Sequence, residues 1–245
     1  MAAPARQRDD LSVLDDPAVA RAVAISVFAG LERPVLADLL AGHRPAVVVP
    51  GEPYPPVDMS EDFRPALVVS GLVRLQLVGP DGRGVVGRYC GPGAFIGAAY
   101  VHPRRPPLPV PAVAEAIVTS RVLHVELRRL RRLATTEVSV AYALIQQLID
   151  YQTDMVRAFA GAAFGTIRER TALHLLDSCV LRPDHTQVAP VTQQMLADAV
   201  GTTREAVGRA LGELRRAGVV MTVPGGYRVL DAGRLAAEAH WLDEA

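Results

Sequence analysis

The sequence predicts an α+β protein: an N-terminal antiparallel β jelly roll, one long helix, and a C-terminal winged helix-turn-helix. Three observations predict it. Residues 47–125 hold short β-branched runs separated by turn signals. Residues 137–159 place apolar side chains at helical spacing, and residues 192–229 read as two short capped helices followed by a hairpin.

Taken in order, the chain opens on a loose tail, and an apolar-periodic stretch from Leu11 to Leu40 follows, read as short helices broken near Gly30 and Pro34. The runs AVVV, ALVV, LVRLQLV, GVVGRY and AIVTSRVLHV then follow, divided by PG, SG, PDG and GPG turns. Short strands at that spacing predict a barrel or jelly roll. The stretch VHPRRPPLPVP carries five prolines and reads as a loop or an edge. Leu127–Leu133 reads as a helical turn. Ala141, Leu144, Leu148, Tyr151, Met155 and Ala158 then form a 3-4-3-4-3 seam. Such a seam suits a parallel helix pair, so Leu144, Leu148, Tyr151 and Met155 are the candidate homodimer interface. Gly161 and Gly165 read as a hinge, and Thr166–Val180 as a further helix. The expected divisions are 11–135, 136–160 and 165–245.

Composition narrows the function classes. Half of the 245 residues are apolar and 21% are charged, the balance of a globular chain, and no run approaches the ~20 apolar residues of a membrane span. The N-terminus lacks the order of a secretory signal, so the expected compartment is the cytoplasm, with no membrane partner. With only Cys90 and Cys179, far apart in sequence, a disulfide framework is not expected and one chain cannot supply a four-thiolate metal site; both are expected to be reduced, buried thiols. Lysine is absent throughout, which fits a coding bias rather than a binding surface. Residues 165–245 carry nine arginines against ten acids, so any nucleic-acid contact must come from local placement. No nucleophile elbow, zinc pair or phosphate loop is present, and an enzyme is not expected.

Local placement appears in TQQMLADAVGTTREAVGRALGELRRAG, residues 192–218. Thr192 caps a first helix with Leu196, Ala199 and Val200 inward, Gly201 turns, and Thr203 caps a second helix with Val207, Ala210, Leu211 and Leu214 inward. The outward face then holds Arg204, Glu205, Gly208, Arg209 and Gly212. Arginine pairs with guanine and glutamate accepts from cytosine in the major groove. The two glycines each cost roughly 1 kcal/mol in a helix, and they are read as permitting close approach to another surface. VVMTVPGGYRV supplies the wing.

The segment TTREAVGRALGELRRAGVV closely resembles the DNA-binding signature of the Crp/Fnr superfamily of transcription regulators. That resemblance makes Arg204, Glu205 and Arg209 the base readers and places Gln193, Gln194 and Thr203 near phosphates. It implies double-stranded DNA as partner, RNA polymerase as a further one, and a TGTGA-like half-site repeated as an inverted pair by a homodimer. Upstream, Phe28–Leu31, Pro50–Glu52, Leu67–Gly71, Asp81–Gly82 and Gly91–Gly97 resemble the opening helix and successive turns of the family's cyclic-nucleotide-binding-like barrel.

The sensor end departs from the family. Ala98 stands where cyclic-nucleotide-binding members carry a ribose-holding glutamate, and Val110 and Pro111 stand where they carry the phosphate-gripping Arg-Ser pair. Control by cAMP is therefore not expected, because a buried phosphate would lack its cation. Arg104 and Arg105 are the nearby substitutes. Haem stays open through His43, His102, His124 or Cys90, although no cofactor and no metal is the expectation. The effector is unknown. The remaining alternatives are a regulator responsive to a cyclic nucleotide or haem, and a barrel-based interaction protein that does not bind DNA.

Overall fold

The computed structural model describes residues 12–51, 64–80, 84–102, 110–182 and 184–239. Glu52, Asp81–Gly82, Arg104 and Arg105 lie outside the described residues. The chain divides into two compact units, one taking residues up to Arg74 and Cys90–Gln152, the other Leu75–Tyr89 and the residues from Thr153 onward. Among the described residues no helix is long and apolar enough to cross a membrane.

The first unit begins with a short 3-10 turn, Ser12–Asp15, and two helices, α1 (Pro17–Ala24) and α2 (Arg33–Leu40). The break between them, residues 25–32, contains Gly30 and ends just before Pro34. Pro34 sits in the first turn of α2, where its missing N–H costs no hydrogen bond. Strands β1 (Arg44–Val48), β2 (Ala66–Val78), β3 (Gly84–Cys90), β4 (Phe95–Ile96) and β5 (Ala112–His124) form an antiparallel sheet ordered β1-β5-β2-β3, with β4 also paired to β2. β1 and β5 run in register from Arg44 opposite His124 to Val48 opposite Ser120.

The Ser70-Gly71 pair, read as a turn, lies instead within β2, which continues through it for 13 residues. Gly71 takes φ +94° there. Without a side chain it lets the backbone of β2 approach Ser120, whose Oγ accepts from the Leu72 N–H at 2.9 Å and donates to the Val118 carbonyl at 2.8 Å. Helix α3 (Leu127–Thr136) follows β5, and Asp38 of α2 takes guanidinium bonds from Arg129 at 2.7 Å and Arg132 at 2.7 Å. Both hydrogen bonds hold the Asp38 carboxyl below its usual range against the opposing cost of burial. Below them the core joins Val19, Phe28, Leu39, Leu67, Phe95, Leu123 and Leu130. Phe28 and Phe95 meet edge to face, 4.9 Å between centroids.

Helix α4 runs Val138–Phe164. It continues through Gly161 and stops before Gly165, whose N–H still bonds to the Gly161 carbonyl at 2.9 Å. The second unit then holds α5 (Ile167–Asp177), opened by a capping box in which the Thr166 side chain and Glu169 bond each other's backbone N–H. After it come β6 (Val180–Leu181), β7 (Gln187–Ala189), α6 (Gln193–Val200), α7 (Arg204–Arg216), β8 (Val220–Val223), β9 (Gly226–Val229) and α8 (Ala232–Ala239). The four strands form one sheet ordered β6-β7-β9-β8. Leu175, Leu196, Val207, Leu214 and Leu235 are fully buried, joining the four helices around one core. Neither Cys90 nor Cys179 is in a disulfide; burial pushes the half-buried Cys179 thiol up to about 11, which leaves it unreactive at neutral pH.

His174 on α5 lies edge-on to Tyr89, 6.0 Å between centroids, and burial pushes it down to about 4. A histidine kept neutral in the fold, yet free to protonate in the unfolded chain, costs stability as pH falls from 6.5 toward about 4. The loss reaches up to about 3 kcal/mol. Asp177 has the opposite sign, because burial raises its carboxyl to about 6, but the residue keeps an exposed edge that water screens. Denaturation of the wild type and His174→Gln between neutral and mildly acid pH isolates the histidine: its slope is expected to vanish in the variant. An unchanged slope would assign it to another group.

Candidate nucleic-acid interface

The helix-turn-helix is built by its own caps. The Thr192 Oγ accepts from Met195 N–H at 3.1 Å, the Thr203 Oγ from Ala206 N–H at 3.2 Å, and Gly201 makes the turn at φ +70°. The inward residues of α7, Val207, Ala210, Leu211 and Leu214, are all buried, which turns the opposite face to solvent. Arg204, Glu205 and Arg209 are exposed on that face within the first two turns. Neither arginine side chain makes a hydrogen bond or an ion pair with any described residue. A hydrogen bond from its own N–H, then one from Thr203, holds the Glu205 carboxyl below its usual range, so it is an acceptor at neutral pH.

The other sequence-predicted residues are placed differently from one another. Gln193 is half-buried, and its Nε2 donates to the Arg204 carbonyl at 2.7 Å, tying α6 to the start of α7. Gln194 is exposed and bonds Asp198 at 2.8 Å. The glycines have separate surroundings. A Cβ on Gly208 would lie 2.6 Å from the Gln193 amide, the end of a flexible side chain that could swing aside by giving up its bond to the Arg204 carbonyl, whereas Gly212 faces open space beside Arg215.

Two contacts went unread in the sequence because the partners are not at helical spacing. The Arg215 side chain donates to the Thr222 hydroxyl at 3.0 Å, joining α7 to the wing, and Arg234 donates to the Ala217 carbonyl at 2.8 Å, closing the end of α7 from α8. Arg228 is exposed on β9 of the wing. Its alternation opposite the buried Tyr227 and Val229 is the signal that could have found it.

On α4 the apolar face turned to solvent is Tyr142, Ile145, Leu148, Ile149, Val156 and Phe159. The predicted seam shares Leu148 with it. Leu144 is 5% exposed and packs in the core of the first unit, while Tyr151 and Met155 are half-buried. At the sensor end Ala98 is buried in a 3-10 turn, Ala98–Tyr100. Of the haem candidates, His43 Nδ1 lies 3.0 Å from the Leu40 carbonyl oxygen, His124 Nδ1 3.3 Å from that of Arg64, and Cys90 is buried. Burial also lowers His124.

Comparison with known proteins agrees with this geometry. A Crp-like helix-turn-helix domain matches residues 169–238. The cAMP-activated global transcriptional regulator Vfr of Pseudomonas aeruginosa is 28% identical over 159 residues, covering 62% of this chain and 74% of Vfr. The transcriptional regulator LdrP of Thermus thermophilus is 30% identical over 174 residues, 69% of this chain and 84% of LdrP. Among solved structures, a CRP/FNR-family transcriptional regulator from Thermus thermophilus superposes with a TM-score of 0.60 at 25% identity, over 80% of this chain and 98% of that one. The helix-turn-helix, its wing and the antiparallel sheet domain ahead of them are those of the Crp/Fnr superfamily, and this chain is a DNA-binding transcription regulator of that family.

Proposed function

We propose that the protein acts as a homodimer on an inverted repeat of TGTGA-like half-sites, and that it does so without cAMP. The observation that carries this reading is the pair of guanidinium groups without a hydrogen bond or ion pair among the described residues, Arg204 and Arg209, flanking an ionised Glu205 on the exposed face of α7. Charged side chains left without internal partners are available to base edges, and the first turns of a recognition helix are where base edges come within reach. Thr203 and Gln194, exposed beside them, are the residues we assign to phosphates; Gln193 supports Arg204 from behind.

The dimer is supported by the apolar face of α4, where Ile145, Leu148, Ile149, Val156 and Phe159 are exposed together. The division we propose gives residues 11–135 to the sensor barrel, 136–160 to dimerisation and 165–245 to DNA. Independence from cAMP is supported by the buried Ala98, which offers no carboxylate to a ribose. Val110 and Pro111 likewise offer no cation to a phosphate.

Fluorescence anisotropy with a duplex carrying the inverted repeat tests the three parts together. Without added nucleotide, affinity is expected to exceed that for a scrambled duplex by about 10³-fold or more at fixed salt, and cAMP is expected to leave it unchanged. Sedimentation is expected to give a dimer that Ile149→Asp converts to monomer. Equal affinity for scrambled DNA refutes the half-site, a cAMP requirement refutes the independence, and a monomeric wild type refutes the dimer.

A further inference from the structure

Helix α4 carries two faces of different fate. Val140, Ala143 and Leu144 pack in the core of the first unit, and that side continues to the buried Gln147. On the other side Val138, Tyr142, Ile145, Ile149, Val156 and Phe159 are each more than half exposed. They follow one another at intervals of 4, 3, 4, 7 and 3 residues, a strict seven-residue repeat with one place left out. The missing place is position 152, and the residue standing there is Gln152, itself exposed.

A seven-residue apolar repeat is the mark of a helix paired with another along its length. The flanks of this seam agree with a partner of the same sequence. Ser139, Gln146 and Thr153 border it on one side and Ala141, Leu148 and Met155 on the other, so no charge meets its like across the pair. The exposed seam side chains offer a surface on the order of the ~800 Å² that each partner contributes to a stable interface. The occupant that fits is a second copy of this chain.

Gln152 separates the ways in which two such seams could meet. If they ran antiparallel with their ends aligned, Gln152 would lie opposite Ile145, and its amide would be buried without a hydrogen-bond partner. A parallel pair slipped by one repeat would set it against Ile145 or Phe159, with the same cost. In a parallel pair without slip each residue meets its own counterpart. A glutamine amide has both a donor and an acceptor, so two facing copies satisfy each other.

We propose that Gln152 of one copy hydrogen-bonds Gln152 of the other within the α4 seam, and that this self-contact holds the two helices parallel and in register. The inference rests on the homodimer reading and adds to it the orientation, the register and the residue that sets them. For a dimer that reads an inverted repeat the register matters, because the arrangement of the two subunits sets the spacing of the half-sites they can reach.

Full-length chains carrying Gln152→Glu and Gln152→Lys test it, one of them extended by a short tag so that the three possible dimers differ in mass. Each variant alone is expected to dimerise about tenfold or more weakly than the wild type, because like charges meet. After subunit exchange at low salt, native mass spectrometry of the mixture is expected to show about 90% heterodimer instead of the roughly 50% of random pairing. Gln152→Leu is expected to dimerise about tenfold or more tightly, since a polar residue in a seam specifies register at a cost in stability. Position 152 is exposed in the single chain, so the three substitutions leave its fold intact, which circular dichroism checks. A random mixture, a mixture that fails to dimerise, or a Gln152→Leu dimer no tighter than the wild type overturns the self-contact and leaves the dimer standing. A wild type that sediments as a monomer overturns the dimer and the self-contact with it.

Discussion

Arg204→Ala is expected to cost about 1–3 kcal/mol of specific binding energy per half-site, and about twice that in a dimer reading two half-sites. The size follows from what the side chain does at present. Its guanidinium is exposed and bonds nothing within the described residues, so removing it leaves α7, its Thr203 cap and its buried leucines as they were. All of the loss should therefore appear in recognition and none in folding. Binding isotherms against a panel of duplexes with single base changes distinguish the two roles an arginine can play there. Lost discrimination at one position marks a base reader. A uniform loss across all sequences, with a shallower dependence on salt, would mark Arg204 as a phosphate contact instead.

Gly71→Ala is expected to destabilise the first unit by about 2–5 kcal/mol, from strain at a left-handed residue together with overpacking. The two terms have separate origins at this position. With φ at +94°, any side chain is strained before it meets a neighbour. A Cβ would also collide with the Oγ of Ser120 and lie 2.6 Å from its Cα. Since the second contact is backbone, β2 and β5 would have to move apart, breaking the bond from the Leu72 N–H to the same Ser120 hydroxyl. Chemical denaturation followed by a probe in each unit is expected to show the first unit's transition at lower denaturant, the second unit's unchanged. An unshifted first transition would mean that the strands part at little cost.

The helix-turn-helix was legible because its determinants are local. Thr192 and Thr203 cap the residues three places on, and the buried residues of α7 repeat at helical spacing, so no distant partner has to be known. The same locality let Arg204, Glu205 and Arg209 be placed on the outward face. Where spacing alone was used on α4, it was off by about one position: Leu144 and Ile145 are neighbours in sequence, yet one is buried in the core and the other exposed. Periodicity defines a face but not what lies against it. Gly71 shows the same limit for strands, since a Ser-Gly pair signals a turn until Ser120, 49 residues away in sequence, is seen to require the close approach.

The sequence by itself determined the fold class, the capped helix pair with Arg204, Glu205 and Arg209 on its outward face, and the uncharged residue types at Ala98, Val110 and Pro111. Those are properties of residue type and short-range order. Only the tertiary structure decided that Gln193 braces Arg204 and fills the space over Gly208, and that Ile145, Leu148 and Ile149 are among the apolar residues of α4 left to solvent. Each of these depends on burial and on partners brought together from different elements, and a one-dimensional pattern carries no information about which element will arrive opposite.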